Sequence, residues 1–267
     1  MAFFTTDDHE RELLEAHFAK AGLTGELLKQ AILDAEEAIA HGKPIAYLTN
    51  EAFFYDHSFY VDEAVLIPRP DTERLCEKAI ALLPKGAVFA DLGTGSGCIA
   101  LTVLCHRPDT RAIAVDLSPE ALGVARRNAE TLGLLDRVTF TLGDMRQAPL
   151  QDKTVEFILS NPPYIPTEDI ARYPSLAYEP QMALDGGKDG LDFYRSLLVT
   201  LRNNLSPGGG FLFEIGFDQG EAMRNLAIEL GYSVEIFKDY GKNDRVALLY
   251  PIENPSVKGR PYENSGF

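Results

Sequence analysis

The sequence predicts an α/β fold, doubly wound, with a seven-stranded, mostly parallel sheet that ends in an antiparallel hairpin and a small helical region in front. Three observations carry this. From about Asp71 onward, apolar runs rich in β-branched and aromatic residues alternate with helical segments, the pattern of strands joined by crossover helices. The last two runs are separated by "GKND" alone, too short to hold such a helix, so they pair antiparallel. Before Pro44 the apolar spacing is helical throughout.

In chain order, Leu13, Leu14, Phe18, Leu27, Leu28, Ile32 and Leu33 recur at three- and four-residue steps between charged positions from Asp7 to about Ala40. Gly22 and the pair Thr24 and Gly25 split this stretch into at least two helices, with Thr24 as N-cap of the second. Residues 44–70, "PIAYLTNEAFFYDHSFYVDEAVLIPRP", read as a short hairpin linker. Strands follow at "AVFADLG" from Ala87, "RAIAVDL" from Arg111, "VTFTLGD" from Val138, "VEFILSNPP" from Val155 and "GGFLFEIG" from Gly209. "SVEIFKDY" from Ser233 and "RVALLYP" from Arg245 complete the sheet. The organisation expected is therefore 1–43 helical, 44–70 linker, 71–251 the α/β domain and 252–267 a polar, turn-rich tail.

With 267 residues, 45% hydrophobic and 24% charged, the chain is an ordinary soluble globular protein able to bury a large core. It has no basic, apolar leader and no run near the ~20 residues of a membrane span, so a cytoplasmic location is expected. Cys76, Cys98 and Cys105 form no CxxC pair, and reduced core thiols are the simplest reading. The five histidines show no spacing of a metal site, and none is expected. A net charge of −15 repels polyphosphate, which makes free nucleic acid a poor partner and a basic protein a good one. The first sixty residues carry eleven Asp and Glu against four Lys and Arg, placing much of that acidity on the helical region.

The first chemical constellation is "DLGTGSG", Asp91 to Gly97, between a strand and an apolar helix. Glycines let a chain turn tightly and approach a ligand closely, and the helix N-terminus favours an anionic group. A dinucleotide fingerprint needs glycine where Cys98 stands, so pyrophosphate is not the expected ligand. The next strand ends in Asp116, whose carboxylate can accept both hydroxyls of a ribose, and the third ends in Gly143 and Asp144. Ser118 and Pro119 already start the following helix, so Asp116 is free for that task. Asp144 fits either a cofactor contact or a plain turn, and Met145 either packing or a wall against adenine. Three successive strand ends thus carry what an adenosine with an amino-acid tail requires.

This order resembles that of the Rossmann-like, class I S-adenosylmethionine-dependent methyltransferases. The resemblance implies S-adenosylmethionine as cofactor, held by Asp91 at its methionine end and by Gly93, Thr94, Gly95, Gly97, Asp116, Asp144, Met145 and Asn161.

The second constellation is Asn161, Pro162, Pro163 and Tyr164, at the carboxyl end of the fourth of these strands. Neither proline has an N–H and Pro163 keeps Pro162 extended, so the carbonyls of the turn escape local hydrogen bonding. Asn161 Oδ1 and the Pro162 carbonyl can then hold the two hydrogens of an –NH₂ group, with the Tyr164 ring as a platform. An amide nitrogen is a poor nucleophile because its lone pair is delocalised. Acceptors on both hydrogens stabilise the positive charge that grows as it attacks, so no tuned base is needed. The motif serves planar –NH₂ groups generally, glutamine side chains and adenine alike.

Around it stand "IPRPDTE", Ile67 to Glu73, and "YEPQMALDGGKDGLDFYR", Tyr178 to Arg195. With "DLGTGSG" and "SNPPYIP" these resemble the release factor glutamine methyltransferase family from about Pro44 to Tyr250. The resemblance implies methylation of the glutamine nitrogen (N5) in the Gly-Gly-Gln loop of peptide-chain release factors by a monomer, with Arg69 and Glu73 joining Asn161, Pro162, Pro163 and Tyr164 around the substrate. Arg69, fixed between two prolines, is expected to order the pocket or the Glu73 carboxylate, and Asp71 to cap the next helix. Glu179 and Glu214 also match the family pattern, in supporting roles. The region before "IPRP" is shorter than the family's usual N-terminal domain. The alternatives are a ribosomal-protein glutamine methyltransferase, an adenine-N6 DNA methyltransferase, and a cofactor-binding scaffold without catalysis. The adenine enzyme would need a basic cleft for a flipped base.

Overall fold

The computed structural model describes residues 7–252, so most of the expected tail lies outside the described residues. Two antiparallel helices open the chain, α1 (Asp8–Lys20) and α2 (Gly25–Ala40), packed through Leu14, Ala35 and Ile39. Asp7 starts α1 with a reciprocal capping box: its Oδ1 accepts from Glu10 N at 2.7 Å, while Asp7 N donates to Glu10 Oε2 at 3.2 Å. Thr24 occupies the N-cap position of α2, but its side chain makes no capping hydrogen bond. A one-turn helix α3 (Ile45–Thr49), which the sequence pattern did not signal, leads into the hairpin β1 (Glu51–Phe54) and β2 (His57–Tyr60).

The hairpin is bound tightly to the α/β unit. Asn128, buried on α6 (Pro119–Thr131), accepts from Tyr60 N at 2.7 Å. Its Nδ2 donates to Tyr60 O and to Ser96 O, both at 2.9 Å. One side chain thereby joins hairpin, helix and the "DLGTGSG" loop. Val61, Val65 and Ile67 pack with Ala121 and Val124 of α6, so residues 44–70 share a core with the larger domain.

After α4 (Glu73–Leu82), the sheet is built from β3 (Val88–Leu92), β4 (Arg111–Asp116), β5 (Val138–Leu142), β6 (Val155–Ser160), β7 (Leu205–Glu214), β8 (Tyr232–Lys238) and β9 (Asp244–Pro251). Their order is β5-β4-β3-β6-β7-β9-β8, with β3 to β7 parallel and β9 antiparallel to both neighbours, as the "GKND" link requires. Side chains alternate between the two faces. Phe89, Phe157, Leu159 and Leu212 pack under α4 and α5 (Cys98–His106), whereas Leu92, Ile158, Phe211 and Phe213 pack under α7 (Asp192–Thr200) and α8 (Gly220–Glu229). Strand order reverses between β4-β3 and β6-β7, and the carboxyl ends of β3 and β6 flank that switch point, where open sheets bind ligands. Ser160 locks the two ends together, its hydroxyl donating to Leu92 O at 2.6 Å.

Replacing Asn128 by Ala strands buried backbone groups of two segments. Urea unfolding is expected to show a loss of about 2–4 kcal/mol, and a loss below ~0.5 kcal/mol would contradict the bridging role.

Candidate active site

The "DLGTGSG" loop is held from below by Asp91, which is fully buried at the end of β3. Its Oδ2 accepts from Thr94 Oγ1 at 2.7 Å and from Ala100 N at 3.2 Å, while Oδ1 has no protein partner. Burial outweighs both hydrogen bonds and pushes this carboxyl up to about 7. Gly97 closes the loop with a left-handed φ of 82°, and a Cβ there would press on Leu101 at 3.0 Å and Ala125 at 3.3 Å, so only glycine fits. Four of the loop amides are taken up within the protein. Gly93 N and Thr94 N donate to Val115 O at 2.9 and 3.0 Å, Gly97 N to Thr94 O at 2.8 Å, and Gly95 N to Asp116 Oδ2 at 2.9 Å. A cradle for pyrophosphate would need those donors free.

A cavity of about 400 Å³ opens above the loop, walled by Gly93, Gly95, Asp116, Asp144, Met145 and Asn161 among others. Asp91, Thr94 and Gly97 lie beneath this surface rather than on it, because the loop folds over them. Asp116 is also part of the local fold, since Oδ1 accepts from Ser118 N at 3.0 Å. Each oxygen keeps a second lone pair for a diol. Asp144 is gripped by the Arg146 guanidinium at 3.1 and 3.0 Å, which holds its carboxyl below the usual range. Met145 both lines the cavity and packs over Gly93. Arg146 and Phe193, which no sequence motif marks, stack at the cavity wall with the guanidinium carbon 4.9 Å from the ring centre.

A second, smaller cavity of about 90 Å³ adjoins the first, and Asn161, Leu66 and Ala183 line both. Arg69 and Tyr164 form its other walls. Asn161 Nδ2 donates to Thr72 Oγ1 at 3.4 Å, which turns Oδ1 the other way. Among the described residues neither Asn161 Oδ1 nor the Pro162 carbonyl accepts a protein hydrogen bond. Pro162 and Pro163 are themselves buried.

The rest of the turn is clamped. Ile165 N donates to Leu184 O at 3.1 Å and Gly186 N to Ile165 O at 2.8 Å, forming a bridge between Ile165 and Asp185. Gln219 Nε2 donates to Tyr164 O at 3.1 Å and Gly190 O at 3.2 Å. The backbone approach is so close that a Cβ on Gly190 would sit 2.3 Å from Tyr164 O, which explains a glycine there. Tyr164 turns its hydroxyl toward Glu214 Oε1 at 3.4 Å, and burial raises its pKa.

Three expectations are corrected by long-range pairing. Arg69 orders Glu179, not Glu73: its guanidinium binds Glu179 Oε1, and Glu179 Oε2 accepts from Ile67 N at 3.2 Å. Glu73 lies away from both cavities because its carboxylate accepts from Tyr55 N at 2.8 Å, tying the hairpin turn to α4. Asp71 is not a cap; it sits in a 3₁₀ turn, Pro70–Thr72, and pairs with Arg245 at 3.2 Å. A groove of about 600 Å³ runs from Lys43 and Pro44 past Ser175 to Arg69 and Leu176, both of which also line the small cavity. Among the described residues no three His, Cys, Asp or Glu side chains are placed to hold a metal ion, and no helix is long and apolar enough to cross a membrane.

Because Asp91 binds its proton far more tightly folded than unfolded, its contribution to stability is full below about pH 4 and is lost as pH rises through about 7. Asp91→Asn removes that dependence, so the stability difference between wild type and variant is expected to move against the wild type from pH 4 to 8. A difference independent of pH would contradict the assignment.

A family model described as "Methyltransferase domain" matches residues 89–178. A release factor glutamine methyltransferase from Moorella thermoacetica is 44% identical over 219 residues, covering 80% of this chain and 77% of that protein. One from Salmonella typhimurium is 41% identical over 236 residues, covering 86% and 83%. In fold, the chain is similar to a methyltransferase from Pyrococcus furiosus, with a TM-score of 0.54 at 24% identity, covering 72% of this chain and 86% of that one. Identity at this level over most of both chains shows descent as well as fold: the chain belongs to the release factor glutamine methyltransferase family.

Proposed function

We propose that this protein methylates the side-chain nitrogen of the glutamine in the Gly-Gly-Gln loop of peptide-chain release factors, with S-adenosylmethionine as donor. The observation that carries the reading is the meeting of two cavities at Asn161, a large one beside Asp116 and a small one beside Tyr164. The residues fit the cofactor. Asp116 offers lone pairs for the ribose and Met145 an apolar wall for the adenine, while the buried Asp91 braces the loop between them from below. When bound, the cofactor supplies a sulfonium methyl, whose C–S bond breaks with the electron pair staying on sulfur as nitrogen bonds to carbon.

The protein's part is positioning and electrostatics. Asn161 Oδ1 and the Pro162 carbonyl accept both hydrogens of the carboxamide, and the positive charge growing on nitrogen is stabilised by these fixed dipoles. The nitrogen then loses one proton to water. The Tyr164 ring walls the small cavity. A net charge of −15 opposes binding of a polyphosphate, which argues against the adenine reading.

The groove from Lys43 to Arg69 leads a peptide loop from the helical region toward this cavity, so we assign residues 1–43 to docking of the release factor. The acidic charge of the chain, −15, suits a basic protein partner in the cytoplasm, and we read the enzyme as a monomer.

Mass spectrometry of the release-factor Gly-Gly-Gln peptide, with and without the protein, tests the reaction; an unmodified glutamine after incubation rejects it. Asn161→Ala is expected to cut turnover by ~10²-fold or more while cofactor affinity, measured by calorimetry, stays nearly constant. Equal loss of both would remove Asn161 from its assigned role. Asp116→Ala is expected to weaken cofactor binding, and unaltered affinity would take it out of the ribose site.

A further inference from the structure

We propose that Arg69 grips the main chain of the substrate loop beside the target glutamine, and that Glu179 is the positioning residue that aims the guanidinium and cancels its charge. The proposal rests on the methyl-transfer reading above and deepens it, by assigning the part of the site that holds peptide rather than carboxamide. A loop that lies in the groove and puts its glutamine into the small cavity has to pass where the two meet. Arg69 and Leu176 are the residues that line both.

Arg69 is fixed at this junction from both ends. Its backbone is extended, at φ −107° and ψ 141°, as the following Pro70 favours, and Pro68 before it is buried. Its carbonyl accepts from Thr72 N at 3.0 Å. Its side chain, 38% exposed, pairs through Nη2 with Oε1 of Glu179, whose own side chain is 2% exposed. Glu179 Oε2 accepts from Ile67 N at 3.2 Å, so both oxygens of the carboxylate are taken by residues 67 and 69. Glu179 N donates to Leu176 O at 3.0 Å, and one turn therefore carries both the carboxylate and the apolar side of the junction.

A guanidinium has five N–H donors, and among the described residues the contact to Glu179 uses one. The others belong to a group whose charge is already matched, at a point open to both cavities. Such a group remains a good donor but attracts a second anion weakly, because the carboxylate beside it opposes one. Neutral peptide carbonyls suit it. Glycines before the glutamine leave those carbonyls uncovered by side chains. Asn161 Oδ1 and the Pro162 carbonyl accept from the carboxamide while Arg69 donates to the backbone, so the two grips are opposite in kind and do not compete.

The main chain does not react, so this grip is equally strong before and during methyl transfer. Its loss falls on KM, whereas a residue that only ordered the pocket would lower kcat. Glu179→Gln keeps the shape but has one oxygen for two donors, Ile67 N and Arg69. Its NH₂ end then meets the guanidinium, donor against donor, and Arg69 is released.

The test is steady-state methylation of purified release factor at about 50 and 300 mM salt, with cofactor affinity and circular dichroism measured alongside. Arg69→Ala and Glu179→Gln are each expected to raise KM for release factor about tenfold or more, by a larger factor than any fall in kcat, while cofactor affinity holds. The double variant should be no worse than Arg69→Ala, because Glu179 acts through Arg69. The ratio of KM between Arg69→Ala and wild type should be alike at both salt concentrations, as a contact to a neutral carbonyl requires. If Glu179→Gln does not fold, Arg69→Ala and Arg69→Met decide through KM and its salt dependence. Wild-type KM in Arg69→Ala, a loss confined to kcat, a ratio that collapses at the higher salt, or additive effects in the double variant would each overturn the proposal while leaving the methyltransferase reading intact. A wild type that transfers nothing to release factor would overturn that reading, and this inference with it.

Discussion

The proposed chemistry depends on two oxygen atoms that accept no hydrogen bond from the described residues. Asn161 Oδ1 and the Pro162 carbonyl stand at the carboxyl end of a buried central strand, where most polar groups are paired. They stay available because two prolines supply no donors and because neighbouring segments fix the turn from every side. Ser160 ties it to β3, the "DGGKDG" segment bridges to Ile165, and Gln219 holds Tyr164 O. Preorganisation of this kind is what lets fixed dipoles stabilise charge without reorganising at the moment of reaction.

Two buried acids serve the two halves of the site in different ways. Asp91 supports the glycine loop from below with its hydroxyl and amide contacts, while Glu214 accepts from the Tyr164 hydroxyl behind the small cavity. Both are pushed up to about 7 by burial. A protein bears such cost where accurate placement of a neighbour matters more than stability.

The parts of this arrangement that were legible in the sequence are local. Apolar runs alternating with helical segments marked the strands of the sheet, and a four-residue link marked the antiparallel end. Glycines with Asp116 and Asp144 on successive strand ends marked the large cavity, and all but the buried Asp91, Thr94 and Gly97 reach its wall. What stayed hidden are pairings between distant positions. Arg69 meets Glu179 across 110 residues, and Asn161 meets Thr72 across 89, distances at which spacing carries no signal. Asp71 looked like a cap because the local pattern fits one, but Arg245 from the last strand claims its carboxylate. Thr72 and Gln219 escaped notice for the same reason, since each is an ordinary residue until the sheet brings its partner alongside.

The central claim concerns orientation, so a structure of the protein with S-adenosylhomocysteine and a Gly-Gly-Gln peptide tests it most directly. The account predicts the glutamine carboxamide in the small cavity, its nitrogen within hydrogen-bonding distance of both Asn161 Oδ1 and the Pro162 carbonyl and aimed at the cofactor sulfur. A carboxamide bound elsewhere, or an Asn161 presenting its NH₂ end, would contradict it.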